Sequence, residues 1–257
     1  LPNHMHVDWT LKALAAGKHV LTEKPIAMQA GEIDALIAAR DASGLLAAEA
    51  YMIVHHPQWL RARELVQGGA IGKLRHVDAF FSYNNADQLE NIRNRPETGG
   101  GSLRDIGVYT FGSARFVTGA EPVDLSSRVV RENDVEIWAQ VAATMEGPQG
   151  RYTYNSMTTM RAYNRQVVTF QGTKGMIRLE GGPFNAGVHD MAEIELHKGP
   201  NRVLVERFPT VDQYQVQVEA FGASVRTGAP FAWSLENAKG TQAMIDWAYR
   251  VAEEVRL

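Results

Sequence analysis

The stretch GKHVLTEKP at residues 17–25 decides how the fold is interpreted, because a helical pattern ends there and a short apolar strand, His19–Glu23, begins. Upstream, Asn3–Gly17 has the pattern of a helix, with its first residue as the expected N-cap and its last as the C-terminal stop. Downstream, Gly31–Ala42 repeats the helical pattern, and Leu45–Met52 is a second apolar strand. This alternation is typical of a doubly wound α/β sheet.

Two strands and two helices cannot form a covered parallel sheet by themselves, since such a sheet needs helices on both of its faces. The sequence begins at Leu1, without an initiator Met. We therefore expect one or two further βαβ units, of about 30 residues each, to precede Leu1 in the whole protein.

After about residue 60 the pattern changes to a series of strands, preceded by a helix at 59–68. Strand-like alternation recurs in eight segments, at 74–84, 124–132, 135–146, 150–158, 165–171, 175–180, 192–197 and 203–208. Three further helices are expected, over Ser102–Val117, Gln213–Thr227 and Leu235–Val255. The boundary between two domains is predicted near residues 50–58.

The segment 135–146 predicts how the sheet is buried. Its alternate residues from Val135 to Met145 are apolar, whereas Glu136 and Trp138 belong to the opposite face. This alternation is typical of an antiparallel sheet with one dry side. The turn Gly172–Gly175 predicts a hairpin within the same sheet.

Composition excludes several classes of function. The 257 residues include 26 Lys and Arg against 29 Asp and Glu, so no basic surface is predicted for nucleic acid or anionic lipid. No apolar run is long enough to span a membrane, and residues 1–9 lack the layout of a secretory signal, so we expect a cytoplasmic protein. Cysteine is absent, which excludes thiolate chemistry. A small molecule is the expected partner.

Two groups of residues are candidates for chemistry. Glu23, Lys24 and Pro25 lie at the carboxyl end of a predicted strand, the edge where open α/β sheets bind ligands. Asp105 and Tyr109 are four residues apart, so they lie on one face of a helix and could meet one substrate. Structural roles are the alternative: a solvated Lys24, a Pro25 that only ends the strand, an Asp105 at a helix start and a Tyr109 in the core.

Other motifs give weaker signals. Gly99–Gly101 lacks the spacing of a dinucleotide or phosphate loop. His4 with His6, and His55 with His56, point to different sides at their spacings, so no metal site is predicted. Glu193 and Glu195 share a strand face, where solvated charge is the simpler interpretation than paired catalytic carboxylates.

Three segments in order add a resemblance: residues 17–25, Glu49–Met52, and Asn91–Tyr109. Together they resemble the glucose-fructose oxidoreductase/inositol dehydrogenase/MocA (GFO/IDH/MocA) family of nicotinamide-dependent oxidoreductases. The resemblance implies the C-terminal part of a Rossmann-type domain at 1–54, without the glycine motif. It also implies an α+β domain at 55–257 with a large, mostly antiparallel open sheet for substrate binding and oligomerisation.

The resemblance also implies roles for individual residues. Lys24 and Tyr109 take the catalytic lysine and tyrosine positions, Asp105 binds substrate, and Glu23, Lys24 and Pro25 bind the nicotinamide cofactor. Tyr109 stands where the family often has His, as in the branch of NADP-dependent D-xylose dehydrogenases and dimeric dihydrodiol dehydrogenases. The implied cofactor is NADP or NAD, with NADP favoured, and the implied substrate is a sugar, polyol or cyclic diol. A homo-oligomer, dimer or tetramer, through the C-terminal sheet is expected.

This branch differs from the present sequence at Ile53 and Val54, where relatives tend to have an aromatic residue and an arginine. That departure leaves the particular sugar open.

The chemistry agrees with these roles. Oxidation of an alcohol needs a base at the hydroxyl, and an ammonium near Tyr109 is expected to lower its pKa from about 10. The leading hypothesis is an NAD(P)-dependent oxidoreductase. Two alternatives stay open: a non-catalytic cofactor sensor on the same fold, and an assembly module that dimerises through the sheet face bearing Trp138.

Overall fold

The computed structural model describes residues 1–185, 191–199 and 201–256. Its first part contains four elements: helix α1 (His6–Ala15), strand β1 (Val20–Glu23), helix α2 (Glu32–Ser43) and strand β2 (Ala47–Ala50). The two strands pair in parallel, from Val20 opposite Ala47 to Glu23 opposite Ala50. The α/β alternation predicted from the sequence is confirmed in this part.

The second part is built on a nine-stranded sheet. Its strands are β3 (Leu74–Asn84), β4 (Glu121–Glu132), β5 (Val135–Gly147), β6 (Gly150–Thr159), β7 (Arg161–Gly172), β8 (Met176–Glu180), β9 (Ala192–His197), β10 (Val203–Phe208) and β11 (Ala252–Glu254). They lie in the order β10-β9-β8-β7-β3-β6-β5-β4-β11. Pairing is antiparallel except between β3 and β6 and between β4 and β11, so the predicted sheet is confirmed as mostly antiparallel.

Four helices accompany the sheet: α3 (Pro57–Gln67), α4 (Val108–Thr118), α5 (Gln213–Thr227) and α6 (Leu235–Arg250). Helix α4 packs between α3, α6 and strand β3, and every one of its residues is buried. A short π-helical turn, Leu103–Gly107, leads into it. A helix buried along its whole length is fixed by packing on all sides, which gives the residues near its start a defined position.

Helix α6 joins the two parts of the molecule. It packs against α2 and β2 as well as against β4. Arg40 on α2 forms two hydrogen bonds to Glu236, at 2.8 and 3.1 Å, and Lys239 reaches Asp34. The parallel strands therefore rest on the same helical layer that covers the large sheet.

Three expectations from the sequence were wrong in detail. Asn3 does not cap α1; its side-chain amide donates instead to the carbonyl oxygen of Gly99 at 2.9 Å, and α1 begins at His6. The last helix ends at Arg250 rather than Val255, because the chain then runs beside β4 as the edge strand β11. Glu136 lies on the face of β5 predicted to be polar, yet its side chain is buried.

The glycine stops and the hairpin are confirmed. Gly17 and Gly119 have φ values of 71° and 67°, the left-handed conformation that ends helices α1 and α4. Gly172–Gly175 connects β7 to β8. Within the described residues, none of the helices combines the length and the apolar character that a membrane crossing requires.

Candidate active site

A cavity of about 720 Å³ opens where the carboxyl end of β1 meets the large sheet. Glu23 and Lys24 line it from β1, Asp105 and Tyr109 from the helical segment, and Tyr83 from the end of β3. The structure thus brings four of the five predicted site residues to one place. The fifth, Pro25, is buried beneath this wall, and its carbonyl oxygen accepts a hydrogen bond from Nδ1 of His6 at 2.8 Å.

Lys24 is held firmly at the cavity wall. Its ammonium donates to the main-chain oxygen of Asp105 at 2.6 Å and to Oδ1 of the same residue at 3.0 Å. Only 11% of either side chain in this ion pair is exposed. A solvated lysine, the structural alternative, would not be so enclosed, and the ion pair places a positive charge at a defined point.

Asp105 is the centre of a charged cluster. Its carboxylate accepts from Lys24, from Tyr83 Oη at 2.6 Å, and lies 2.9 Å from Nε of Arg93. Burial opposes ionisation most strongly, but the positive charges of Lys24 and Arg93 together outweigh it and lower the pKa of Asp105 to about 2. The group is therefore ionised at every working pH.

Tyr109 has a different environment from the one expected. The ammonium of Lys24 lies 4.9 Å from the centre of its ring, above the ring face, while its hydroxyl faces Met52 Sδ at 3.5 Å. Burial raises the pKa of Tyr109 well above its ordinary value, and the nearby Tyr214 and Asp105 raise it further. The expectation that Lys24 lowers this pKa was wrong: the ammonium contacts the π system rather than the oxygen, and its charge is shared with Asp105.

Gly99–Gly101 supports this site through its close packing. A Cβ at Gly100 would collide with the carbonyl oxygen of Arg93, and one at Gly101 would lie 2.9 Å from the hydroxyl of Tyr249. Gly99 and Gly101 also have φ values of 78° and 127°. Glycine is required here so that the loop can lie against its neighbours just before the π-helical turn.

Behind the turn lies a second buried carboxylate that sequence reasoning missed. Glu136 accepts hydrogen bonds from the hydroxyl of Ser102, from the N–H of Leu103 at 3.0 Å, and from the hydroxyl of Tyr249 at 3.0 Å. These donors lower the pKa of Glu136, but burial outweighs them and raises it to about 7. Strand alternation could not reveal it, because the segment that covers this face of β5 is distant in sequence.

Other residues were also missed. Tyr83 and Arg93 bind Asp105, and only the place of Arg93 within the segment Asn91–Tyr109, which carries the family resemblance, could have indicated a role. Glu49, a lone acid in the apolar strand β2, accepts from the N–H of Ile26 at 3.0 Å and from Trp233 Nε1 at 2.9 Å. It thereby fixes the chain that follows Lys24 and Pro25.

The remaining candidates have structural roles. Nδ1 of His56 accepts from the N–H of Gln58 at the start of α3, and burial lowers the pKa values of His55 and His56 to about 4. Glu193 pairs with Arg207, and Glu195 with His197. Among the described residues, no three acidic or histidine side chains come together in a way that could hold a metal ion.

The residues present fit a nicotinamide cofactor. A smaller cavity of about 190 Å³, lined by Asn3 and His6, shares Lys24, Arg93 and Asp105 with the main one. The two cavities meet at Lys24 on the carboxyl edge of parallel strands, where dinucleotides bind in such folds. Glu23 and Lys24 line both cavities, so they are the residues that would lie beside a nicotinamide ring and a substrate bound there.

Comparison with known proteins agrees with this geometry. Residues 1–51 match the oxidoreductase family with an NAD-binding Rossmann fold, and residues 59–178 match the GFO/IDH/MocA C-terminal domain. An uncharacterized oxidoreductase of Rhizobium meliloti is 37% identical over 98% of this chain and 76% of its own length. The NADP-dependent D-xylose 1-dehydrogenase 2 of Haloferax volcanii is 32% identical over 98% of this chain and 76% of its own length.

A solved structure is similar over the whole chain. The 3-ketoreductase of Actinomadura kijaniata, in complex with NADP and TDP-benzene, superposes with a TM-score of 0.87 at 28% identity, over 100% of this chain and 78% of that one. The fold, the cavity at the strand edge and the sequence identity all agree. The chain therefore belongs to the GFO/IDH/MocA family and is an NAD(P)-dependent oxidoreductase for sugar-like substrates.

Proposed function

We propose that the protein transfers hydride between NADP and a free aldose or polyol, with Lys24 and Tyr109 as catalytic residues and Asp105 as a substrate-binding residue. The convergence of these three side chains on one cavity is the observation that carries the proposal. The D-xylose dehydrogenase and the NADP-bound ketoreductase among its relatives favour NADP and a sugar.

The wall of the main cavity supports a polyhydroxylated substrate. Seven side-chain amides line it, from Asn84, Asn85, Gln88, Asn91, Asn164, Gln166 and Asn185. Each amide both donates and accepts hydrogen bonds, as sugar hydroxyls do. Several of them already bond within the protein, but the buried Nδ2 of Asn85 has no partner among the described residues. A cyclic diol on a hydrocarbon ring offers fewer hydroxyls than a sugar to the groups that remain free. The lining therefore favours a sugar over a dihydrobenzene diol.

The chain's own groups can move and stabilise charge during the reaction. When bound, the nicotinamide supplies the hydride donor or acceptor. The fixed ammonium of Lys24 can stabilise negative charge that develops on the reacting oxygen. The raised pKa of Tyr109 keeps its phenol protonated, which is the form that donates a proton to a carbonyl oxygen. The arrangement thus supports Tyr109 as the acid in the carbonyl-reducing direction.

A substrate screen tests this function. Full-length protein is assayed with NAD and NADP over aldoses, inositols, cyclic diols and dTDP-linked sugars, following reduced nicotinamide by absorbance. We expect NADP-dependent turnover of at least one free aldose or polyol, with kcat/KM about 100-fold above that of any cyclic diol, or about 3 kcal/mol in transition-state binding. Turnover confined to diols or dTDP-linked sugars contradicts the proposal, and NADP binding without turnover of any substrate favours the sensor alternative.

We further propose that the protein is a cytoplasmic homo-oligomer, a dimer or tetramer that pairs through the large sheet. The edge strand β10 supports this, since Val203, Leu204 and Val205 are 46–47% exposed. Light scattering after size exclusion should give the mass of two or four chains, and the mass of one chain contradicts the proposal.

A further inference from the structure

A second large cavity, of about 530 Å³, lies behind the active site. Three arginines from separate elements line it: Arg104 in the π-helical turn, Arg131 on β4 and Arg250 at the end of α6. Arg104 and Asp105 are consecutive, yet Arg104 faces this cavity whereas Asp105 faces the active site. The site is therefore separate from the cavity that holds Lys24 and Tyr109.

The side chain of Arg104 is held in position by an aromatic ring, but it forms no ion pair among the described residues. Its guanidinium lies 4.9 Å from the centre of the Tyr249 ring, which orients it toward the cavity. Its Nε is fully buried and has no hydrogen-bond partner among the described residues. The guanidinium's one hydrogen bond within that part of the chain is long, 3.5 Å from Nη1 to the oxygen of Gly100. A buried donor without an acceptor is costly unless a ligand supplies one.

The other two arginines have at most one distant carboxylate partner among the residues that the structure describes. Within the part of the chain that the structure describes, Arg250 forms no ion pair, and the nearest carboxylate to Arg131 is Glu254 at 3.9 Å. By contrast, Arg40, Arg61 and Arg115 each bind a glutamate through two nitrogens. Positive charge thus converges on this cavity with weaker partners than Arg40, Arg61 and Arg115 have.

The acidic residues near the cavity are already engaged. Asp246 lines it, but its two oxygens accept from the N–H of Ala30 at 2.7 Å and from the amide of Gln242 at 2.9 Å. Glu136, behind Tyr249, accepts from that residue's hydroxyl. With three arginines and one aspartate, the lining carries a net charge of about +2, matched to a dianion.

We propose that this cavity binds the phosphate group of a small phosphorylated molecule. Guanidinium groups bind phosphate oxygens in pairs and are always charged, so three of them can hold a dianion at neutral pH. A cavity of about 530 Å³ is larger than a phosphate ion needs, so an organic part can lie beside Met28 and Gln29 at its rim.

The test measures binding rather than turnover, so it does not depend on the proposed reaction. Full-length protein is titrated calorimetrically with inorganic phosphate and with glucose 6-phosphate, in the absence and presence of saturating NADP. We expect a dissociation constant below about 1 mM for at least one of them, with or without NADP. Tighter binding of glucose 6-phosphate indicates a phosphomonoester as the natural ligand, and equal binding indicates free phosphate.

Variants locate the site. Arg250→Gln, at an exposed helix end, and Arg104→Gln should each weaken binding about tenfold or more, because each removes charge-assisted hydrogen bonds. Arg226→Gln, at the exposed end of α5, is the matched control and should bind as wild type does. Any one of three results overturns the proposal. The first is wild-type affinity in Arg250→Gln, and the second is complete displacement of the ligand by NADP. The third is no binding at 10 mM ligand, which is on the order of ten times the expected dissociation constant.

Discussion

Two buried carboxylates on opposite sides of the same π-helical turn behave in opposite ways. Asp105 faces the active cavity, whereas Glu136 extends from β5 toward the turn, and the two residues are only 8% and 1% exposed. Yet the pKa of Asp105 is lowered to about 2, while that of Glu136 is raised to about 7. Burial acts in the same direction on both, so the difference comes from their partners.

Asp105 has two cationic partners, Lys24 and Arg93, whereas Glu136 has only neutral hydrogen-bond donors. Neutral donors stabilise a carboxylate less than a full positive charge does. One face of the turn therefore holds a permanently charged cluster, where we propose that the chemistry takes place. On the other face, Glu136 is bound only by neutral donors, and its carboxyl group can gain or lose a proton near pH 7.

The largest expected difference is in turnover, between the phenols on the two faces. Tyr109→Phe should reduce kcat by at least ~100-fold, because it removes the proposed proton donor to the substrate oxygen. Tyr249→Phe deletes only the hydrogen bond to Glu136 and should keep kcat within about threefold, less than 1 kcal/mol in activation free energy. Steady-state assays of both variants measure this difference. An equal loss of kcat in the two variants would contradict different roles for Tyr109 and Tyr249.

Substitutions of the two carboxylates, Asp105 and Glu136, should also differ in their effect on activity. Asp105→Asn keeps the shape but removes the charge that holds Lys24, so kcat/KM should fall by at least about tenfold, equivalent to 1.4 kcal/mol. Glu136→Gln should change kcat/KM by less than about threefold at pH 8, under 1 kcal/mol. Full activity in Asp105→Asn removes Asp105 from the site.

Stability should depend on pH in opposite directions for the two groups. Glu136 has an ordinary pKa of 4.5 and about 7 when folded. The folded state therefore binds the proton more tightly, and stability falls as pH rises from 4.5 to about 7. Its contribution changes by about 3 kcal/mol. Urea unfolding across this range should show this slope in wild type and lose it in Glu136→Gln.

Asp105 has the reverse sign. Its pKa is 3.8 ordinarily and about 2 when folded, so its contribution is complete above pH 3.8 and is lost as the pH falls toward 2. In urea unfolding of Asp105→Asn, the free energy of unfolding should therefore depend on pH between pH 5 and 8 as it does in wild type. If Asp105→Asn instead changed the pH dependence of stability between pH 5 and 8 and left it unchanged below pH 3.8, the assignment of Lys24 and Arg93 as partners of Asp105 would be contradicted.

The smallest effect is expected for an ion pair with the same chemistry but no burial. Lys12 and Asp8 on α1 are 2.6 Å apart, and their side chains are 57% and 64% exposed. Water and salt screen such a pair, so Lys12→Met should cost about 0.5 kcal/mol or less in unfolding free energy. A cost above about 2 kcal/mol would show that exposure does not set the strength of these pairs.

Much of the architecture could be predicted from the sequence, because it is written in local patterns. Helix and strand periodicity gave the α/β part and the strands of the large sheet, and Gly17 and Gly119 marked where helices end. Strand-edge position marked Lys24 and helical spacing paired Asp105 with Tyr109, but only the family resemblance implied that all three share one site, where the structure brings them together.

What could not be predicted depends on contacts between distant segments. Glu136 looked solvated, because nothing near it in sequence reveals that Ser102 and Tyr249 cover it. The pKa of Tyr109 was expected to fall, but burial raises it, and the ammonium of Lys24 lies over the ring rather than beside the hydroxyl. Side-chain orientation of this kind is set by packing, which a linear pattern does not record.

The most direct test of the account is the single-turnover rate of hydride transfer in Lys24→Met, measured by stopped flow at saturating NADPH with the carbonyl form of the preferred sugar. Because this variant removes the fixed charge held by Asp105, we predict a rate at least ~100-fold below wild type, about 3 kcal/mol in activation free energy. A rate within threefold of wild type would contradict the central claim that the Lys24 cluster performs the chemistry.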